Sequence, residues 1–332
     1  MKRYDLDYYI NGLNSQNNVV LAQSITLVES KRSSDQELAD QLLNEIIKET
    51  PSTIRIGITG TPGVGKSSFI ESFGGYLIEQ GKKVAVLAID PSSQRTGGSI
   101  LGDKTRMETL SKNPKAFIRP SASGSTLGGV NNRTREAMLL CEVAGFDTII
   151  IETVGVGQSE TLVNNMVDFF LLMIQPGSGD DLQGIKKGIM EMAHGIVINK
   201  ADGDQAKLAK RSKSDLLNAL HLFAASETGW STQVELCSAL EKKGFDAVWQ
   251  MITAFQDQMT GNGLFKQNRS DQNVTWFEDR VNFGLLQQLI DHKELMELQK
   301  ELKVKVRQNE LSVSKATSQL LNRVRQLLTS SK

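Results

Sequence analysis

The stretch Gly60-Thr61-Pro62-Gly63-Val64-Gly65-Lys66-Ser67 fits the pattern G-x-x-x-x-G-K-[ST], and its flanks are the ones the pattern needs. Ile54–Thr59 before it reads as a buried strand, and Ser67–Glu79 after it reads as a helix. A Gly-rich turn between strand and helix lets backbone N–H groups close around phosphates, where the helix dipole also favours negative charge. Gly60, Thr61, Pro62, Gly63, Val64, Gly65, Lys66, Ser67 and Ser68 then form a nucleotide cradle. Lys66 is expected to reach the β- and γ-phosphates, and the Ser67 hydroxyl to ligate Mg²⁺.

Outward from this loop, residues 54–257 alternate strand and helix. Candidate strands are Ile54–Thr59, Val84–Asp90, Ala116–Arg119, Thr148–Glu152, Phe169–Ile174, Gly195–Asn199 and Val234–Cys237. Most are continuous apolar runs, as a parallel sheet covered on both faces requires. Arg133–Val143, Leu182–Met192 and Gln205–Ala224 have helical length and spacing. The expected fold is α/β: a P-loop NTPase with a mostly parallel sheet flanked by helices. Ligands of such a sheet sit at the carboxyl ends of its strands.

The type of base is read further along. Asn199-Lys200-Ala201-Asp202 follows an apolar strand and precedes a helix. The Asp202 carboxylate suits guanine, accepting from N1–H and from the exocyclic amine. Adenine has no such donor pair and would leave the buried carboxylate unmatched, a cost of about 1–3 kcal/mol. Asn199 ties this loop to the phosphate loop, Lys200 lays its stem on the base, and Ser238-Ala239-Leu240 forms the last wall. The reading is a site for GTP and GDP.

Three acids accompany it. Glu152-Thr153-Val154-Gly155 ends a strand where ordinary GTPases carry Asp-x-x-Gly. There the acid holds Mg²⁺ through water, and the Gly155 N–H would touch the γ-phosphate. Asp90 ends Val84–Ile89, and Asp103 lies in the Gly-rich run from Gly97 to Arg106. The expected metal set is Ser67, Asp90, Asp103 and Glu152, with at least one acid orienting the attacking water instead. No Gln directly follows Gly155, so intrinsic hydrolysis should be slow and open to acceleration by a partner.

Outside this domain, residues 1–53 are polar and then read as a pair of helices ended by Pro51, with Leu21, Ile25 and Val28 on one face of the first and Leu38, Leu42, Leu43, Ile46 and Ile47 repeating that spacing in the second. They read as an N-terminal helical extension. Residues 258–332 read as a C-terminal helical arm whose first part, 258–274, is a polar Gly/Asn-rich connector. Leu320, Leu321, Val324, Leu327 and Leu328 make an apolar stripe that either folds back or pairs with a second subunit.

Composition sets the bounds. Formal net charge is +0, so no global field points to nucleic acid or to an acidic membrane surface. No run of 18 apolar residues and no signal-peptide core occurs, and Cys141 and Cys237 read as buried thiols of a reducing compartment. The expected location is the cytoplasm. His194, His221 and His292 have no partners at metal-ligand spacing and read as structural.

Taken together, the chain resembles the MeaB/ArgK family of P-loop GTPases associated with methylmalonyl-CoA mutase. The resemblance rests on Ala22–Glu29, the phosphate loop, Ala88–Ser93, Gly97–Met107, Thr126–Val130, Glu152–Glu160, Gly179–Gly188 and Asn199–Gly203. It implies a homodimeric GTPase with a helical dimerisation arm. Its partner would be an adenosylcobalamin-dependent acyl-CoA mutase, whose cofactor loading it gates and which it protects from inactivation. It also implies that Gly179–Lys187 is a mobile switch with Lys186 as its active lysine. Two other functions share this scaffold. One is a kinase of a periplasmic amino-acid-binding protein, for which no catalytic base is evident. The other is a nickel-insertion GTPase, which two isolated cysteines and three scattered histidines do not suit.

Overall fold

The computed structural model describes residues 3–46, 53–89, 107–120, 127–153, 159–177, 187–221 and 228–329. Seven strands form one sheet: β1 (Ile54–Gly60), β2 (Val84–Ile89), β3 (Ala116–Pro120), β4 (Thr148–Thr153), β5 (Phe169–Ile174), β6 (Gly195–Ile198) and β7 (Gln233–Leu236). Their order is β3-β2-β4-β1-β5-β6-β7, and every neighbouring pair is parallel. Each strand overlaps a candidate strand of the sequence, although β7 alternates polar and apolar residues and begins one position earlier than expected.

Side chains of period two divide the core between the two faces. Ile56, Ile58, Ile150, Leu171 and Val197 point to one side, where they meet α4 (Lys66–Glu79), the short α5 (Glu108–Ser111) and α10 (Phe245–Gly261). Ala85, Leu87, Ile149, Ile151, Phe170 and Ile196 point to the other. That face is covered by α1 (Leu6–Asn14), α2 (Asn18–Val28), α3 (Ser33–Ile46), α6 (Leu127–Val143), α7 (Ser159–Asn164), α8 (Lys187–Met192) and α9 (Ala206–Leu220). Gly57 in β1 allows close approach of α7, since a Cβ there would lie 2.7 Å from Val163 Cγ1.

Two local readings change. The N-terminal extension holds three helices rather than two. In α1 the Asp5 carboxylate caps the Tyr8 N–H, and Tyr9 and Leu13 are fully buried in the core beside Leu21 and Ile25, although Asn and Gln flank them in the sequence. The polar run 258–274 is not a connector but helix, interrupted only at Asn262 and Gly263 between α10 and α11 (Leu264–Asp291). Its polar residues serve a buried network described below.

The chain divides into two compact units, Met1–Asn273 and Val274–Lys332. The second holds the rest of α11 with α12 (Lys293–Arg307) and α13 (Val313–Thr329), where Leu295, Leu302 and Ala316 are buried. Leu320, Val324 and Leu327 of the apolar stripe are half-buried, while Leu321 and Leu328 are exposed. On α11, Phe277, Val281, Leu285, Leu286 and Ile290 are also exposed. No helix among the described residues is long and apolar enough to cross a membrane.

Candidate functional site

Because all seven strands are parallel, their carboxyl ends share one edge, and the residues singled out in the sequence gather there. β1 ends at Gly60 and the chain turns through Gly63 (φ +81) and Gly65 (φ +93) into α4. Gly65 stands at the N-cap, where no side chain satisfies the first N–H groups of the helix. Only glycine suits this position. The left-handed backbone disfavours a side chain, and a Cβ would lie 2.7 Å from Asn199 Nδ2.

The Lys66 amine folds back over the loop and donates to the Gly60 carbonyl at 2.7 Å. Burial lowers its pKa from the ordinary lysine value, against the opposing pull of Glu152 and Glu160. Ser67, on the first turn of α4, donates its hydroxyl to Glu152 Oε1 at 3.0 Å. Glu152 is buried on β4 directly beside β1, next to Thr153, whose hydroxyl donates to Thr59 Oγ1 at 3.0 Å. Ser67 and Glu152 thus share one point in space, although 85 residues separate them.

The base loop leaves β6 on the other side of the phosphate loop. Asn199 is buried and bonds in both directions: Nδ2 donates to the Val64 carbonyl at 2.9 Å, and Oδ1 accepts from the Ala239 N–H at 3.2 Å. The Cys237 thiol donates to the same Oδ1 at 3.5 Å, and burial with the nearby Asp202 charge pushes its pKa up to about 12. Lys200 adopts φ +61, uncommon for a residue with a side chain. Its ammonium donates to the Gly63 carbonyl at 2.7 Å and to Gln175 Oε1 at 3.4 Å. Asp202 Oδ2 accepts from the Ser238 hydroxyl, which itself accepts from the Glu241 N–H at 2.9 Å. Leu240, beyond Ala239, is 86% exposed.

Gly60, Lys66, Ser67, Glu152, Asn199, Lys200, Asp202, Ser238 and Ala239 are therefore brought to one edge. Asp90, Asp103, Gly155 and Lys186, together with most of Gly179–Lys187, lie outside the described residues. Among the described residues no three His, Cys, Asp or Glu side chains converge as a metal cage. His194 is structural: its Nδ1 accepts from the Phe170 N–H at 3.0 Å, and its ring lies 4.5 Å from that of Phe255.

The sequence reading passed over three contributors. Gln175 meets Lys200, the Cys237 thiol meets Asn199, and Ser72 on α4 donates its hydroxyl to the Ala239 carbonyl at 2.9 Å. None belongs to a motif. A serine in mid-helix gives no signal of a partner 167 positions away.

A phosphate loop joining the central strand β1 to α4, with an Asn-Lys-x-Asp loop bonded to it, defines a P-loop GTPase. The family described as methylmalonyl Co-A mutase-associated GTPase MeaB matches residues 21–294, and the chain belongs to that family. The chain is 47% identical to the Escherichia coli GTPase ArgK, over 94% of each protein. It is 42% identical to the methylmalonic aciduria type A homolog, mitochondrial, of Mus musculus, covering 95% of this chain and 79% of that one. A crystal structure of a LAO/AO transport system kinase superimposes with a TM-score of 0.73 at 38% identity, covering 98% of this chain and 99% of that one.

Proposed function

We propose that this protein binds and hydrolyses GTP to assist an adenosylcobalamin-dependent acyl-CoA mutase of the methylmalonyl-CoA type, gating cofactor loading and protecting the enzyme. The observation that carries the nucleotide reading is the pair of hydrogen bonds made by Asn199, which join the base loop to Val64 of the phosphate loop and to Ala239. The Asp202 carboxylate is oriented by the Ser238 hydroxyl, which donates to its Oδ2. The mutase reading draws its support from the family's description and from the name of the mouse relative.

In this reading the N–H groups of the loop from Gly60 to Ser68 hold the phosphates, and Lys66 exchanges the Gly60 carbonyl for a phosphate oxygen. The partial burial of Lys66 strengthens that exchange, because a desolvated ammonium gains more from an anion than from a neutral carbonyl. Ser67 and Glu152 would hold Mg²⁺, with Asp90 and Asp103 as further candidates. Mg²⁺ would supply charge neutralisation on the phosphates. Slow turnover follows from the lack of a Gln directly after Gly155, and stimulation would come from the partner through Gly179–Lys187 and Lys186. The protein acts as a homodimer through the arm, whose exposed Phe277, Val281 and Leu285 lie on one side of α11.

The test is GTP turnover with and without a purified cobalamin-dependent acyl-CoA mutase from the same source. Stimulation together with a complex on gel filtration supports the reading; indifference to the mutase refutes it. A second reading, favoured by the name of the similar solved structure, is a protein kinase. Radiolabelled γ-phosphate separates the two, because hydrolysis releases the label as inorganic phosphate whereas a kinase leaves it on protein.

A further inference from the structure

The wall Ser238-Ala239-Leu240 follows β7 and carries no regular secondary structure of its own beyond a single bridge between Ser238 and Lys243. Such a short link needs outside bonds to keep one shape. The peptide before Ala239 is fixed by its N–H to Asn199 Oδ1, at 3.2 Å. The peptide after Ala239 is fixed by its carbonyl, which accepts from Ser72 Oγ at 2.9 Å. Ser72 stands on α4, less than two turns beyond Lys66 and Ser67 on the helix that the phosphate loop opens.

A serine inside a helix commonly bonds back to the carbonyl four residues earlier. Ser72 instead turns away from its own helix to a carbonyl in the base wall. The wall is thereby attached to the same rigid helix that presents the phosphate-binding residues. Base-binding and phosphate-binding groups are joined through one hydrogen bond.

We propose that Ser72 is a positioning residue of the base pocket, setting the lifetime of the bound nucleotide by holding the Ala239 carbonyl to the phosphate-loop helix. The proposal rests on the guanine-site reading. Ser72 touches no nucleotide itself; it acts through Ala239.

The experiment is release of fluorescent GDP and ADP analogues, followed by stopped flow, from wild type, Ser72→Ala and Ser72→Thr. The lost hydrogen bond predicts release of the GDP analogue about 2- to 12-fold faster from Ser72→Ala. Ser72→Thr keeps the hydroxyl and returns release toward the wild-type rate. In steady state the loss falls on KM rather than kcat, a split that general loosening of the fold would not give. Thermal unfolding of the nucleotide-free variants checks that the fold is kept. Wild-type release from Ser72→Ala overturns the proposal, as does a fall in kcat at unchanged KM or a failure of Ser72→Thr to rescue. Wild-type protein holding the ADP analogue as long as the GDP analogue overturns the guanine reading itself, a different result from any of these.

Discussion

Replacing Arg269 with methionine tests how the first turns of α11 are held to the nucleotide-binding unit. The Arg269 guanidinium is buried, and its Nε and Nη2 donate to Asp168 Oδ1 and Oδ2 at 2.8 and 2.7 Å. Nη2 also donates to the Thr53 carbonyl at 2.9 Å, and the guanidinium lies 4.8 Å from the Phe265 ring. Around it, Arg55 forms two 2.8 Å bonds with Glu142, and Gln272 donates to the Val167 carbonyl at 2.8 Å. Methionine keeps the apolar stem but leaves Asp168 buried with the Arg55 N–H, at 2.8 Å, in place of a full counter-charge. Stranding one partner of a buried pair costs about 3–5 kcal/mol. Asp168→Asn removes the stranded charge while its carbonyl still accepts from the Arg55 N–H, so Arg269→Met/Asp168→Asn should regain about half the loss or more. Urea unfolding followed by far-UV circular dichroism gives both values. A single variant within about 1 kcal/mol of wild type, or a double variant no better than the single, would refute the reasoning.

Three further outcomes follow from the geometry. Gly65→Ala places a Cβ against Asn199 at φ +93, so GTP affinity should fall by about 5- to 150-fold on a strain of about 1–3 kcal/mol; isothermal titration showing unchanged affinity would contradict this. Burial holds the His194 pKa down to about 4 from 6.5, in a site where the Phe170 N–H already occupies Nδ1. The unfolded chain therefore takes up the proton first, so stability is complete above pH 6.5 and is lost as the pH falls from 6.5 to 4. The loss is on the order of 3 kcal/mol, and His194→Asn should flatten that part of the pH profile in chemical denaturation. Phe277→Asp with Leu285→Asp puts charge on the exposed face of α11; analytical ultracentrifugation should show a dimer becoming a monomer that still binds GDP, and an unchanged mass would argue against the arm as the interface.

The sheet was legible because strands buried on both faces must be apolar throughout, and Phe169–Ile174 or Thr148–Ile151 have few other readings. The phosphate and base loops were legible because their chemistry demands particular residues at fixed spacing. Polar residues with buried roles were not. Arg269 and Gln272 made 258–274 look like a solvated connector, because nothing local shows that Asp168 and Val167 wait for them roughly a hundred positions earlier. The first helix was hidden for a related reason: its apolar face is built from Tyr9 and Leu13 within a run of Asn and Gln. Ser72 is the same case at the site, a small polar side chain whose meaning lies wholly in a tertiary partner.

Nucleotide choice turns on Asp202 reading guanine. Asp202→Asn, compared with wild type for GTP, XTP and ATP by equilibrium titration, tests this most directly. Xanthine carries an acceptor at C2 where guanine carries a donor, so the variant should lose GTP affinity by at least about 100-fold and gain XTP binding, with ATP weak in both proteins. Retention of guanine selectivity by Asp202→Asn would contradict the account.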